Sequence, residues 1–594
     1  MSDFDLIVRG GDVLDGTGAP ARRVDIGVRG DRIAMIGDLG GTRGAREVQA
    51  RGMVVAPGFV DIQSQSIFSL LADGDASSHV RQGITTELIG EGGSPGLLTP
   101  RILEEDSRYV GWLGALGLTM DWSGFEGYLR RVERSGTAVN LGAFASVDLV
   151  RARVMGQDAR KATPGEMDAM RALVTESMRE GAFGLAAALA YPPASYLGTG
   201  ELVTLARAGG ELGGLYITHV RGESGSVMDS VGEAIAIGEG ASLPVVVFHL
   251  KVAGRASWGK MPALCALLEA ARQRRVRVSA CQYPYAVAGT GLAAPMPDWA
   301  QEGGPDAVVA RLRDAAARAR IRSEMESRDA LLGRIDFDAI EVASVPAGGD
   351  EDAVGKRISA IASARKQDAW DVYFGLLEAH RANVFALYHS MSEDDVRTAM
   401  AMPWVSIATD AEATSPRGLL GKIRVHPRAY GTFPRVLGRY VREERVLTLE
   451  DAIRKMTSLP AAQVGLVDRG TLKPGAFADI VVFDPAEVLD TATFAAPHAF
   501  SIGIHTVVVN GKVTVEAGEH TGARAGRALF GPGYGQVSAK PRLPLLDVRP
   551  DWTDDKSPSS PVLDGLRDGL PQPSPAGGER REDREESSND RKES

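Results

Sequence analysis

The chain has 594 residues, of which 44% are hydrophobic and 24% charged, and its formal net charge at pH 7 is −10. An acidic balance argues against a nucleic-acid surface, which needs clustered Lys and Arg, and the two cysteines, Cys265 and Cys281, exclude a disulfide scaffold. The sequence shows no secretory signal pattern and no apolar run long enough to span a bilayer, so we expect a cytoplasmic protein. A chain of this length is expected to contain one large domain with smaller additions.

Both chain ends predict short strands. Apolar and polar residues alternate there between Gly and Asp turns, and Asn510-Gly511 is a hairpin-turn pair. We therefore expect residues 1–54 and 465–545 to pair into one small β-sandwich domain. Residues 551–594 have the composition of a disordered tail.

Eight continuous apolar runs lie between these ends and alternate with helical periods. Continuous hydrophobicity is typical of parallel strands that are buried on both faces. The runs are VVAPGFVDI (54–62), TTELIGE (85–91), NLGAFASV (140–147), GAFGLAAAL (181–189), GLYITHV (214–220), PVVVFHL (244–250), VRVSACQYPY (276–285) and WVSIATD (404–410). Among the helices, the capping box at Thr163 and Glu166 begins one that runs through about Glu180.

This alternation predicts an α/β fold, a (β/α)₈ TIM-type barrel over residues 55–289 and 401–464. A doubly wound open sheet is the alternative, but no G-x-G-x-x-G turn follows an early strand. The connection between runs seven and eight is too long for a loop. It contains a charged helical segment at 305–327 and a strand-like segment at 383–389. We predict that residues 290–400 form an inserted lid subdomain.

Three residues at run ends could bind a metal. His219 and His249 are the last residues but one of runs five and six, and Asp410 ends run eight. In a barrel of this kind the chemistry lies at the carboxyl ends of the strands, and neutral imidazoles with a carboxylate suit zinc. A lone histidine at a strand end is more often structural, but two on adjacent strands favour a metal site.

At these positions the sequence resembles the amidohydrolase superfamily and, within it, the N-acyl-D-amino-acid deacylase (D-aminoacylase) family. The resemblance extends from about residue 4 to 530, in the family's order. The matching motifs include YITHVRGE and ATDAE, and the most diagnostic are the HPRAYGTFPRVL string and the pair of YPY in YPYAVAGTGL and HLK in FHLKVAG. It implies a zinc-bearing barrel that hydrolyses the amide bond of N-acyl-D-amino acids or related D-configured amides and small peptides.

The resemblance also implies residue roles. His219 and His249 match metal ligands, and Asp410 matches the general acid/base beside an activated water. Lys251 and Tyr283 match the residues that hold the substrate carboxylate. The alternatives are a surface charge for Lys251 and core packing for Tyr283.

Two further residues are candidates for the substrate pocket. Arg221 follows His219 closely, as does Glu223, and either could support a metal ligand from outside. His426 lies in the HPRAYG string. A structural hydrogen bond is the alternative for His426.

The sequence departs from the family at the first two barrel strands. The family has His-x-His at the end of strand one, where this chain has Gln63-Ser64-Gln65, and a glutamine oxygen is a poor zinc ligand. The family's bridging Cys on strand two is replaced by Glu91, whose carboxylate can bind zinc. We therefore predict one zinc ion held by Glu91, His219 and His249, with a helix cap or a salt bridge as the alternative for Glu91.

Two functions remain open. Three protein ligands plus water is a normal catalytic zinc arrangement, which predicts a working hydrolase. The alternative is a catalytically impaired protein on the same scaffold that binds a small carboxylate ligand. A metal-independent amidase has no Ser-His-Asp or Ser-Lys arrangement to support it. In each case the expected partner is a small molecule, with no nucleic acid and no membrane, and a homo-oligomer is left open.

Overall fold

The structure, a computed structural model, describes residues 2–105, 107–346 and 349–536. The predicted disordered tail, residues 551–594, lies outside the described residues. In chain order the strands are β1 (Phe4–Val13), β2 (Arg22–Arg29), β3 (Arg32–Gly37), β4 (Gly44–Gln49), β5 (Val54–Pro57), β6 (Phe59–Asp61), β7 (Ile84–Ile89), β8 (Asn140–Ala143), β9 (Ala145–Ser146), β10 (Gly184–Ala188), β11 (Leu215–His219), β12 (Val245–Val247), β13 (Val278–Gln282), β14 (Ala288–Gly291), β15 (Ile340–Ser344), β16 (Phe385–Tyr388), β17 (Val405–Ile407), β18 (Ile480–Phe483), β19 (Ile504–Val509), β20 (Lys512–Glu516) and β21 (Glu519–His520).

The helices alternate with the central strands. In chain order the α-helices are α1 (Ser69–Ala72), α2 (Ser77–Val80), α3 (Pro100–Glu105), α4 (Ser107–Ala115), α5 (Gly124–Ser135), α6 (Val147–Met155), α7 (Pro164–Arg179), α8 (Thr199–Gly210), α9 (Val227–Ala241), α10 (Met261–Gln273), α11 (Asp298–Gln301), α12 (Pro305–Arg313), α13 (Ala315–Ser327), α14 (Ile358–Arg365), α15 (Ala369–Ala379), α16 (Glu393–Ala401), α17 (Arg428–Arg435), α18 (Leu449–Met456) and α19 (Ser458–Val464). No helix in the described part of the chain is long and apolar enough to cross a membrane.

Eight parallel strands form the predicted (β/α)₈ barrel. Strands one and two are β6 and β7, strand three is β8 with β9, strands four to seven are β10 to β13, and strand eight is β17. Strand eight meets strand one through two backbone hydrogen bonds of 2.8 Å, from the Asp410 N–H to the Gln63 carbonyl and from the Gln65 N–H to the Ala411 carbonyl. Every predicted run contains a barrel strand, because strands buried on both faces leave a continuous apolar signal.

The first predicted run was wrong in extent, since it spans two sheets. Residues Val54–Pro57 pair with the terminal strands, and only Phe59–Asp61 enters the barrel. The chain changes sheets at Gly58, where an added Cβ would lie 2.3 Å from the Thr85 side chain. That close approach explains why a glycine stands at the crossing.

A nine-stranded sheet contains strands from both chain ends. Its order is β21-β20-β19-β18-β5-β1-β2-β3, with β4 beside β1. The antiparallel pairing of β5 with β18 joins the two ends. The φ angles of Asn510 and Gly511 are +48° and +77°, the positive values that a tight hairpin turn requires.

One predicted helix start is confirmed and one predicted helix is divided. Thr163 caps α7 with the reciprocal Glu166 contact. The charged segment at 305–327 is two helices rather than one, because the Asp314 side chain accepts a hydrogen bond from the Ala317 N–H and begins α13. Strands β14, β16 and β15 form a separate antiparallel sheet in the long segment between strands seven and eight.

The barrel interior is packed. Apolar side chains from strands around the ring, such as Val60, Leu88, Ile217 and Phe248, form one buried cluster. The open space of the barrel therefore lies at the carboxyl ends of its strands, where polar side chains gather.

Candidate active site

Three potential metal ligands lie together at the carboxyl ends of the strands. Glu91 follows strand two, His219 ends strand five and His249 follows strand six. Their ligand atoms lie within 4.8 Å of one another. The side chains are at most 8% exposed. Two imidazoles and a carboxylate are a donor set that zinc accepts.

The hydrogen bonds of the two imidazoles show which nitrogen of each can face a metal ion. The His219 Nδ1 lies 2.9 Å from the Val220 carbonyl oxygen, so this nitrogen is a donor and Nε2 is the nitrogen that can face a metal. Burial, together with the Lys251 ammonium and the neighbouring His219, lowers the pKa of His249 well below its ordinary value. His249 is therefore neutral. Because the His249 Nδ1 accepts from Lys251, its Nε2 carries the N–H that it directs at Glu91, and this proton must leave before Nε2 binds a metal. With that change the donor set fits a metal ion.

A buried ion pair supports the cluster. The Lys251 Nζ donates to the Glu223 Oε1 at 2.6 Å and to the His249 Nδ1 at 2.6 Å. Although burial alone would raise it, the Lys251 ammonium, with the neighbouring imidazoles of His219 and His249, holds the pKa of Glu223 below its ordinary value. Glu223 is thus the buried counter-charge for Lys251 and contacts both histidines from outside.

Two glutamine amides face the carboxylate of Glu91. The Gln63 Nε2 donates to the Glu91 Oε2 at 2.6 Å, and the Gln65 Nε2 donates to the same oxygen at 2.9 Å. Gln65 also donates to the Asp410 Oδ1 at 3.0 Å. Because side chains alternate along an extended chain, Ser64 points the other way and donates to Glu87. Gln65 therefore bridges Glu91 and Asp410 through hydrogen bonds.

Asp410 lies beside the cluster in a strained backbone conformation. Its φ is +49°, and that of His249 is +32°, in the left-handed region that residues other than glycine rarely adopt. Such conformations cost about 1–3 kcal/mol and are concentrated at functional sites. The Asp410 Oδ2 lies 2.9 Å from the Arg428 Nη1. The carboxylate is thus held from both sides, by an amide and by a guanidinium.

Tyr283 and Lys251 line the same cavity. The Tyr283 ring lies 5.6 Å from the Lys251 Nζ and 4.6 Å from the Arg428 Cζ. Burial raises the pKa of Tyr283 well above its ordinary value, so its hydroxyl keeps its proton. The two residues that resemble carboxylate holders are therefore both brought to the site.

Arg221 and His426 are placed differently. Arg221 turns away from the cavity, and its guanidinium donates to Glu233 at 2.7 Å and to the Ser195 carbonyl at 2.8 Å. His426 lines the cavity, but its Nε2 lies 3.0 Å from the Val287 carbonyl and its Nδ1 accepts the Arg428 N–H at 2.9 Å. Both His426 nitrogens are thus occupied by the backbone, and the side chain fixes the start of α17.

Sequence reasoning missed Arg428. The residue is 5% exposed, lines the cavity and has an Nε with no hydrogen-bond partner. It stands in the same HPRAYG string as His426, two residues later. A buried arginine that lines a cavity and has a donor without a partner can bind an anion, and the HPRAYG string was the available signal.

The cavity has a volume of about 1170 Å³. Its charged lining includes Glu91, Lys251, Asp410 and Arg428, and much of the remaining wall is apolar. A concave site with a few converging polar groups and apolar walls is typical of small-molecule binding.

Comparisons with known proteins place these features among characterised enzymes. Residues 46–515 match the model of the amidohydrolase family. The chain is 35% identical over 526 residues to the D-aminoacylase of Alcaligenes xylosoxydans xylosoxydans, covering 89% of this chain and 97% of that protein. It is 34% identical over 531 residues to the N-acyl-D-aspartate deacylase of the same organism, covering 89% and 95%.

Two solved structures are similar over almost their whole length. One is N-acyl-D-glutamate deacylase from Bordetella bronchiseptica, complexed with zinc and a phosphonate inhibitor, with 32% identity and a TM-score of 0.73, covering 89% of this chain and 99% of that one. The other is a D-aminoacylase, with 34% identity and a TM-score of 0.72, covering 89% and 100%.

Proposed function

This chain belongs to the amidohydrolase family, in the group that contains the D-aminoacylases and N-acyl-D-amino-acid deacylases, and on that premise we propose that it is a metal-dependent hydrolase of N-acyl-D-amino acids or related D-configured amides. The observation that carries this proposal is the placement of Glu91, His219 and His249 beside Asp410 in one cavity. A metal-ligand set adjacent to a carboxylate is the arrangement that amide hydrolysis needs.

We propose that Glu91, His219 and His249 hold one zinc ion. When bound, zinc polarises the amide carbonyl and lowers the pKa of a water molecule. A second ion is disfavoured because Gln63 and Gln65 direct amide N–H groups, not lone pairs, at Glu91 and Asp410. These partly positive groups occupy the carboxylate oxygens that a second cation would require.

Asp410 moves the proton in the proposed reaction. Its carboxylate accepts a proton from the attacking water and returns it to the leaving amine nitrogen. Gln65 and Arg428 each contact one of its oxygens, which fixes its orientation. The positive φ of Asp410 fits this role, because strained backbone conformations are concentrated at sites where a side chain must hold one orientation.

Arg428, Lys251 and Tyr283 bind the substrate carboxylate in this proposal. Arg428 lines the cavity and has an Nε with no hydrogen-bond partner, and Lys251 and the Tyr283 hydroxyl add two donors. Charge-assisted hydrogen bonds of this kind are stronger than neutral ones. The inserted segment, residues 290–400, acts as a lid, since Val345 and Phe385 from it line the cavity.

A non-catalytic carboxylate-binding protein is the second candidate function. The observation that favours it is the hydrogen bond of His249 to both Lys251 and Glu91, which ties up the imidazole, together with the glutamines in place of two histidines. This candidate function needs the cationic side chains of Lys251 and Arg428 but no metal ion.

Paired substrates separate the two functions. We expect N-acetyl-D-amino acids, but not their L-enantiomers, to be hydrolysed, and the turnover to disappear after chelation and return with zinc. Saturable binding of N-acetyl-D-amino acids without turnover of any enantiomer, weakened in Arg428→Ala, would establish the binding protein instead.

A further inference from the structure

The cavity is larger than a small N-acetylated amino acid requires. Its volume is about 1170 Å³, whereas pockets for drug-sized ligands span roughly 300–1,000 Å³. An acetyl group on an amino acid is smaller than such a ligand. Space is therefore left for a further part of the substrate.

One side of the cavity, which we call the apolar wall, is formed by Ile67, Phe68, Tyr109, Trp112 and Leu116. The first two follow strand one, and the other three lie on α4 and just after it. Their spacing of i, i+3 and i+7 places the last three on one helix face. The ring centroids of Phe68 and Tyr109 lie 6.4 Å apart, and those of Tyr109 and Trp112 lie 5.6 Å apart. Both pairs pack edge to face.

The apolar wall runs from the core to the solvent. Phe68 is 4% exposed, Tyr109 is 7% exposed and Trp112 is 42% exposed. Leu419, which is 48% exposed, also lines the cavity. Large apolar side chains left exposed at a concave site mark a surface that a ligand covers.

This wall begins next to the metal-ligand cluster. A Cβ atom placed on Gly93, two residues after Glu91, would lie 3.1 Å from the Ile67 Cδ1 and 3.3 Å from the Tyr109 hydroxyl. A substituent that leaves the cluster on this side therefore meets apolar groups at once.

The groups that bind a carboxylate lie on the other side of the cluster. Lys251 follows strand six, Tyr283 follows strand seven and Arg428 follows strand eight. In a ring of eight strands, strands two and three stand opposite strands six and seven, and α4 follows strand two. A substrate with its carboxylate on these donors and its amide at the cluster directs its acyl group to the apolar wall.

We propose that the acyl group of the substrate is large and apolar, a medium- or long-chain aliphatic or an aromatic group, and that the apolar wall binds it. This inference rests on the proposed function and names the substrate class of the same site. Phe68, Tyr109 and Trp112 contact the acyl chain, and Trp112 covers its outer end.

The test varies the size of the substrate's acyl group and, independently, the size of its amino-acid side chain. N-acetyl, N-octanoyl and N-benzoyl derivatives of D-alanine and D-leucine are compared in the wild type, Trp112→Ala and Trp258→Ala. Trp258 is a matched control because it is 40% exposed and lies outside the residues that line the cavity. We expect wild-type kcat/KM to be at least about tenfold higher for N-octanoyl than for N-acetyl substrates, since added methylenes bind in an apolar pocket.

Trp112→Ala is expected to lower kcat/KM for the N-octanoyl substrates by about tenfold, through KM, and to leave the N-acetyl substrates within about twofold. Trp258→Ala should change neither. Three results would overturn the inference. They are an equal loss of kcat/KM for all acyl groups in Trp112→Ala, a wild type with no preference for the larger acyl group, and a loss of kcat/KM that depends on D-leucine rather than on the octanoyl group. Absence of turnover for every substrate, N-acetyl included, would instead refute the proposed function.

Discussion

Replacing Gln65 by leucine tests whether the amides after strand one stabilise the carboxylates of Glu91 and Asp410 in place of a second metal ion. The substitution keeps the size of the side chain and removes donors to the Glu91 Oε2 at 2.9 Å and to the Asp410 Oδ1 at 3.0 Å. The Glu91 Oε2 keeps its hydrogen bond from Gln63 and so loses one of two amide donors. The Asp410 Oδ1 loses its amide donor.

The magnitude follows from these two contacts. A hydrogen bond to a charged group contributes about 1.5–3 kcal/mol, and the retained Gln63 bond limits the sum to about that of one such bond. Each 1.4 kcal/mol is a factor of about ten. We therefore expect zinc affinity and kcat each to fall by about 10–100-fold, the range found when a partner of a metal ligand is removed.

Zinc affinity is measured by competition with a fluorescent chelator, and kcat is measured at saturating zinc with an N-acyl-D-amino acid. Gln157→Leu is the matched control, because Gln157 lines the same cavity and is not hydrogen-bonded to either carboxylate. The control should stay within about twofold of wild type. Unchanged zinc affinity and kcat in Gln65→Leu would refute the reasoning.

Four further results are expected. The double variant Gln63→His/Gln65→His should bind about two zinc ions per chain by elemental analysis, since imidazole lone pairs then replace amide donors; one ion would contradict this. Asp410→Asn should lower kcat by about 10²–10⁴-fold while the zinc content stays the same, and an active variant would show that another group carries the proton. Arg428→Ala should raise KM for the D-substrate by at least about tenfold, whereas an unchanged KM would remove Arg428 from carboxylate binding. Burial raises the pKa of Asp148 to about 7. The folded chain therefore keeps a proton that the unfolded chain loses at about pH 3.9, and the free energy of unfolding falls as the pH rises from about 4 to about 7. Asp148→Asn should therefore raise the free energy of unfolding at pH 8, by up to about 4 kcal/mol, and not at pH 3.5; urea unfolding with the same difference at both pH values would contradict it.

Much of the barrel could be predicted from the sequence, because strands buried on both faces have no polar alternation. The ends of the same runs located His219, His249 and Asp410, since parallel strands bring their carboxyl ends to one rim. The first run was misread in extent because only Gly58 separates two strands that belong to different sheets, and both strands are fully buried. Periodicity cannot separate two such strands.

The hydrogen bonds of the site could not be predicted. Gln65 meets Asp410 across 345 positions of the chain, and no local pattern encodes that distance. Arg221 follows a barrel strand, as Lys251 does, yet it turns to Glu233 on α9. The direction of such side chains depends on which neighbouring helix offers a counter-charge. Arg428 was within a recognised motif, but only the folded chain shows it against Asp410.

The most direct test of the central claim, a hydrolase with a single metal ion, is the metal content of the chain purified without added metal, combined with turnover before and after chelation. We expect about one zinc per chain by elemental mass spectrometry. We also expect hydrolysis of N-acyl-D-amino acids that is lost on chelation and restored by one equivalent of zinc. A chain that holds no metal after zinc is supplied and turns over no N-acyl-D-amino acid would contradict the claim and leave a carboxylate-binding protein on a barrel scaffold.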